Sequence, residues 1–255
     1  MIEAKGLCKY YGDFIAVEDL NFTINEGEIV AFLGPNGAGK STTMKMLTGF
    51  LAPSAGTSRI CGLEVSENRE EVANRIGYLP ENGPLYEEMT PIGLLNFFGD
   101  ARGMDKNLKA SRIEKVIDQC AIQTVVTKPI SKLSRGFRQR VGMANVLLHE
   151  PDVLIMDEPT SSLSTNEAER LFEVVKDLRI RGVSIIYISH RLGEVRELAD
   201  RVVVLRDGEN AGELQRDEIT HDNMVRLMVG RDVSQFYARR PHPIGDEVIA
   251  VKDLV

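Results

Sequence analysis

Tryptophan is absent from this sequence, and cysteine occurs three times in 255 residues. Cys8, Cys61 and Cys120 stand far apart. That spacing excludes a disulfide-built framework and offers no metal-ligand pattern, so they read as reduced thiols of a cytosolic protein. Long apolar runs are missing too. No stretch approaches the ~18 residues that mark a membrane span, and MIEAKGLCKYYGD lacks the apolar centre of a signal peptide. The expectation is a soluble chain. An excess of base is the next absence: 31 Lys and Arg face 38 Asp and Glu, a net charge of −7. Affinity for nucleic acid comes largely from phosphate neutralisation, so none is expected as a partner. What is present is a 43% hydrophobic chain, long enough for one large domain or two small ones.

The order of patterns suggests the class. IAVEDLNFTINEGEIVAFL reads as strands around a turn at Asn25–Gly27. Within it, Ile29 to Leu33 is continuously apolar, as a strand covered on both faces would be. The helical pattern STTMKMLTG follows, with Gly49 as its stop. From about Pro91 to Glu150 the patterns are mostly helical. Then VLIMD, the helix NEAERLFEVVKDLRIRG, SIIYISH, a short helix and the hairpin RVVVLRDGENAGEL follow, with Asp207–Gly208 at the hairpin turn. Leu171, Val174, Val175 and Leu178 are expected to form one apolar helix face. Strands alternating with helices predict a mostly parallel α/β sheet interrupted by a helical block.

Three stretches carry chemistry. Gly34-Pro35-Asn36-Gly37-Ala38-Gly39-Lys40-Ser41, followed by Thr42, fits G-x-x-x-x-G-K-[ST] between a strand and a helix. Backbone amides of such a loop turn inward on phosphates, and the helix N-terminus adds partial positive charge. Lys40 would reach the β- and γ-phosphates, and the Ser41 hydroxyl would ligate Mg²⁺. VLIMDE ends an apolar run in Asp157 and Glu158. In an open α/β sheet this delivers two acids beside the phosphate loop: Asp157 for Mg²⁺, Glu158 as general base toward water. SIIYISH ends in His190, placed to hydrogen-bond a γ-phosphate or to be a strand-end histidine without a role. Tyr11 fits an ordinary strand aromatic or a ring stacked on adenine. LSRGFRQR, from Leu133 to Arg140, is a second anion-site chemistry far from the first.

GPNGAGKST, LSRGFRQR, VLIMDEPTSSLS and YISH, in that order, resemble the nucleotide-binding subunit of ABC transporters. The resemblance covers about Ile2 to Val233. It implies an ATP-binding α/β core of the P-loop NTPase type, with an antiparallel β subdomain and a helical subdomain over about 84–148. It implies ATP and Mg²⁺ as ligands, and two such domains, alike or different, sandwiching two ATP molecules head to tail. Ser134 and Gly136 would then serve an ATP held by the other copy, although Ser134 is also a plausible helix N-cap. The resemblance further implies membrane subunits as partners and a cytoplasmic place, peripheral on the inner face of the cell membrane. A soluble ABC protein working on ribosomes or DNA, a P-loop kinase and an inactive fragment are the competing readings.

Two positions depart from that family. Glu81 stands where glutamine is usual near Mg²⁺ or the attacking water; an ionised glutamate can ligate the metal but cannot donate a hydrogen bond. Ser164 stands where aspartate is frequent, and Ser164 to Glu167 is also a capping-box pattern. The two parts of the chain also resemble different branches. Up to about Pro159 the motifs look like ATPases of ABC-2 type exporters; from about Thr160 they look like the first half of tandem sugar-importer ATPases. A hybrid or truncated chain joined near DEPT is the hypothesis. The expected domain spans 1–232. ARRPHPIGD reads as a linker, and VIAVKDLV, echoing MIEAKGL, as the start of a second ATPase domain within 233–255.

Overall fold

The computed structural model describes residues 1–230 apart from 82 and 84. The linker and second-domain expectation therefore lies outside the described residues. Strands β1 (Ile2–Tyr11) and β2 (Phe14–Ile24) pair antiparallel. The Asn25–Gly27 turn then sends the chain into a different sheet, as β3 (Ile29–Leu33). Strands β4 (Ala55–Ile60) and β5 (Leu63–Glu64) return to the first sheet, which is ordered β2-β1-β4-β5 and is antiparallel. This is the expected β subdomain.

The second sheet adds β6 (Ile76–Leu79), β7 (Val153–Asp157), β8 (Ser184–Ile188), β9 (Arg201–Arg206) and β10 (Glu209–Gln215), in the order β10-β9-β3-β8-β7-β6. Strands β3 and β6 to β9 run parallel, and β10 closes the edge as an antiparallel hairpin turned at Asp207–Gly208. All five residues of β3 are buried, as are all five of β8. Alternation of side chains divides the sheet between cores. Leu154, Met156, Ile185 and Tyr187 face a core shared with the helical block. Val153, Ile155, Ile186 and Ile188 face the four-stranded sheet, packing with Leu7, Leu20 and Phe22. Strand β3 meets three cores: Ile29 joins the first, Val30 and Phe32 the second, and Ala31 and Leu33 a third with Val195 and Val204.

Helices α1 (Lys40–Leu47) and α2 (Arg69–Arg75) precede the helical block of α3 (Pro91–Ala101), α4 (Lys106–Gln119) and α5 (Arg135–Leu147). The block's helices start where the sequence caps them: Thr90, Asp105 and Ser134 each accept a first-turn amide, and Pro91 opens α3. At the far end of α5, buried Arg112 of α4 donates to the carbonyls of Leu147 (2.8 Å) and Leu148 (3.0 Å), satisfying acceptors that a helix end leaves free. Helices α6 (Thr165–Ile180), α7 (Leu192–Leu198) and α8 (His221–Val229) complete the chain. The buried stripe of α6 is Ala168, Phe172, Val175 and Leu178. Leu171 and Val174, expected in that stripe, are half-buried at its edge, because Phe172 supplies the larger apolar surface toward the core. None of the described helices is long and apolar enough to cross a membrane.

One half-buried group ties the block to the sheet and makes a pH prediction. His149 places Nε2 3.0 Å from the Ile76 carbonyl oxygen. Burial first, then the charge of Arg102, holds its imidazole down at about 4. The unfolded chain takes up a proton near 6.5 that the folded protein refuses, so the unfolded state binds more protons between these values. Stability is therefore expected to fall as pH drops through this window, by roughly 3 kcal/mol at most. His149→Gln should flatten that slope in urea unfolding measured at several pH values. A slope unchanged by the substitution would refute the assignment.

Candidate functional site

The parallel strands end together at one rim of the sheet, where open α/β folds bind ligands. From that rim, β3 passes into the loop Gly34–Gly39, β7 into Asp157 and Glu158, and β8 into Ser189 and His190. They surround a cleft of about 730 Å³. It is lined by Gly34, Asn36, Gly37, Ala38, Gly39, Lys40, Ser41, Thr42, Glu81, Asp157, Glu158 and His190, with Phe14, Ala16, Ile188 and Ser189. Sequence reasoning had named the first twelve of these. Pro35 completes the loop and offers its carbonyl to Lys40.

The loop is held open for an anion. Helix α1 has no capping side chain and no acid in its first turn, so its leading amides and dipole are uncompensated. Gly39, at its N-cap, takes a φ of 94°. A Cβ there would stand 2.7 Å from the Ala16 carbonyl oxygen, in a backbone region that L side chains rarely adopt. Gly39→Ala is expected to destabilise the fold by ~2–4 kcal/mol and to weaken nucleotide binding at least tenfold. Thermal unfolding and titration with a fluorescent ATP analogue measure both. Wild-type values for the two would mean the loop can yield. Lys40 donates from Nζ to the carbonyls of Gly34 (2.6 Å) and Pro35 (3.0 Å). Burial lowers its pKa, while Glu158 and Asp157 oppose that shift.

The acids face this ammonium. Burial, then the charge of Glu81, raises the Asp157 carboxyl above its ordinary value, and Lys40 pulls it back. Burial also raises Glu158, against the lowering influence of His190. Glu158 adopts a φ of 49°, rare for a residue with a side chain. Its amide donates to the Ile188 carbonyl at 2.9 Å, so β7 and β8 remain stitched together past their ends. His190 Nδ1 lies 2.8 Å from Glu158 Oε2, but without the direction of a hydrogen bond, leaving that buried oxygen with no aligned donor among the described residues. Ser41, Asp157, Glu158 and Glu81 all line this cleft and are hard oxygen donors of the kind Mg²⁺ takes, although among the described residues no three acidic or histidine groups converge as a preformed metal cluster.

Three expected residues lie elsewhere. Tyr11 is half exposed and does not line the cleft; it pairs across the β1–β2 hairpin with Phe14, which does. Phe14 is the aromatic that lines the cleft. Ser134 is exposed and caps α5 by accepting the Phe137 amide at 3.3 Å, which agrees with the capping interpretation. Gly136 is buried against α6: a Cβ on it would be 2.8 Å from Glu167 Oε1. Glu167 in turn accepts the Ser164 amide (3.1 Å) and hydroxyl (2.8 Å) and pairs with Arg140 at 3.1 Å. Ser164 thus serves helix α6, as its local pattern suggested.

A glycine loop on the central strand, acids on its neighbours, an antiparallel sheet and a helical block together define an ABC-type ATPase fold. The chain belongs to the ABC transporter family, whose model matches residues 17–161. It is 38% identical over 258 residues to a ribose import ATP-binding protein of Rubrobacter xylanophilus, covering 98% of this chain and 50% of that protein. It is 31% identical over 262 residues to a xylose import ATP-binding protein of Yersinia pestis, covering 100% and 51%. The chain spans about half the length of these curated relatives, and the matches run through residues on both sides of Pro159. Among solved structures, an ATP-binding subunit of an ABC transporter matches with a TM-score of 0.80 at 28% identity, covering 93% of this chain and 98% of that one. A component of an ABC transporter complex from Clostridium perfringens matches at 0.77 and 26%, covering 92% and 96%.

Proposed function

We propose that this chain binds and hydrolyses ATP to power an ABC transporter. The observation that carries this reading is the convergence of the Gly34–Thr42 loop with Glu158 and His190 on one cleft. The loop amides and Lys40 hold the β- and γ-phosphates; Phe14, rather than Tyr11, offers its ring to the base. Ser41, Asp157 and Glu81 are the residues to hold Mg²⁺, which when bound supplies charge stabilisation at the phosphate oxygens. Glu158 accepts the proton of a water whose oxygen adds in line to the γ-phosphorus as the bond to ADP breaks. His190 fixes the γ-phosphate side of that arrangement.

Ser134 and Gly136 do not line the cleft of their own chain, which supports a site completed by a second ATP-binding domain. The exposed N-terminus of α5 then covers the γ-phosphate of its partner, with membrane subunits docked nearby on the inner face of the membrane. The domain doing this work is 1–232, with 84–148 as its helical part. Sugar uptake is the process that the relatives' names favour. The test is direct: purified chain should release phosphate from ATP, and the Glu158→Gln variant should dimerise on ATP by light scattering. A chain that stays monomeric with ATP bound contradicts the shared-site reading. ATP left intact by the wild type contradicts the ATPase reading.

A further inference from the structure

Behind the cleft lies a polar knot around Glu194, a residue that none of the motifs includes. Glu194, on α7, has a side chain only 11% exposed and accepts three hydroxyls. Thr160 Oγ1 donates to its carboxylate, 2.8 Å from Oε1 and 2.7 Å from Oε2. Tyr187 Oη donates to Oε2 at 2.8 Å, and Ser189 Oγ donates to Oε2 at 3.0 Å. Arg191 reaches Oε1 at 3.4 Å and is the cation facing the group. Thr160 and Tyr187 are fully buried, and Ser189 nearly so.

The donors come from two arms. Thr160 stands two residues after Glu158, and Ser161 returns its amide to the Glu158 carbonyl at 3.1 Å. Ser189 immediately precedes His190, and its hydroxyl also receives the Arg191 amide at 3.0 Å. Tyr187 anchors the same carboxylate to the centre of β8. A carboxylate has acceptor sites for all of these donors; a carboxamide offers one acceptor oxygen and adds two N–H donors where donors already converge.

We propose that Glu194 is a positioning residue for hydrolysis: its carboxylate gathers Thr160, Tyr187 and Ser189 and so fixes the distance and angle between Glu158 and His190. This rests on the ATPase reading of the cleft. Glu194 does not line the cleft and acts through the two arms.

The experiment compares Glu194→Gln, His190→Ala and the double variant in the full chain. Glu194→Gln is expected to lower kcat about 10- to 100-fold with ATP affinity within about threefold. In the His190→Ala background the same change should cost less than about threefold, because the pair it positions is already broken. Losses that multiply in the double variant would overturn the proposal, since a merely structural role survives removal of His190. Amide exchange reads the same tie without turnover. The amides of Glu158, Ser161 and Arg191 should all exchange at least about tenfold faster in Glu194→Gln; unchanged protection would overturn the proposal even if the wild type proved unable to hydrolyse ATP. Should Glu194→Gln fail to fold, Tyr187→Phe keeps the carboxylate and core volume and should give the same non-additivity with a smaller loss.

Discussion

Replacing Glu158 with glutamine is expected to lower kcat for ATP hydrolysis by about 10²–10⁴-fold while ATP still binds. The substitution preserves the size of a mostly buried side chain, so the left-handed backbone at φ 49° and the amide bond to Ile188 have no steric reason to change. What it removes is the acceptor that takes a proton. In the wild type, burial raises this carboxyl while His190 counters it, an environment suited to a group that must accept a proton and later release it. Glutamine offers a neutral oxygen or an amide in its place. Steady-state phosphate release and ATP-analogue titration together make the test. Retained turnover assigns the base elsewhere; lost binding means the substitution has damaged the cleft rather than the chemistry.

Gly136→Asp is expected to abolish ATP-dependent dimerisation and to reduce turnover at least 100-fold, with nucleotide binding by the isolated chain retained. Its Cβ would enter a space 2.8 Å from Glu167 Oε1 and 3.0 Å from Oε2. The Cβ alone would overlap those oxygens, and the carboxylate one bond beyond it would add like-charge repulsion of about a few kcal/mol. Glu167 is already committed to Ser164 and to Arg140, so it cannot swing away without releasing both. The cost is therefore expected as a displaced start of α5, the surface offered to the second chain. Light scattering of Gly136→Asp in the Glu158→Gln background, beside analogue binding, separates the effects. Intact dimerisation would show that the α5 N-terminus is not part of the shared site.

Much of the cleft was legible because its chemistry is local in sequence. The loop from Gly34 to Thr42 carries its geometry in glycine spacing, and Asp157 and Glu158 announce themselves by ending an apolar strand. His190 follows the same rule. What was not legible has a common physical cause. Tyr11 and Phe14 lie three residues apart on opposite arms of a hairpin, and which ring faces the cleft depends on strand register and twist, not on residue type. Glu194 was invisible because its donors come from positions 160, 187 and 189, and only packing of α7 against β8 brings them to one carboxylate. Leu171 and Phe172 show the same limit on a helix: periodicity defines a face about 100° wide, and the neighbouring core decides which edge is covered. The Asn25–Gly27 turn was read correctly as a turn, yet its joining of two different sheets is a tertiary fact. Glu167 holding Arg140 and facing Gly136 belongs to the same category.

Strand β3 has one more consequence. Its five residues divide among three separate cores, so each neighbouring body grips the strand through different side chains. In mechanical terms it is a pin clamped from three directions, with the phosphate loop at its free end. Such a pin has little slack: a load applied at Gly34 cannot be absorbed by stretching β3 alone, because every residue is held in dense packing. Work done at the loop is delivered to the packed bodies as motion of one against another. A strand built this way favours stroke over local give.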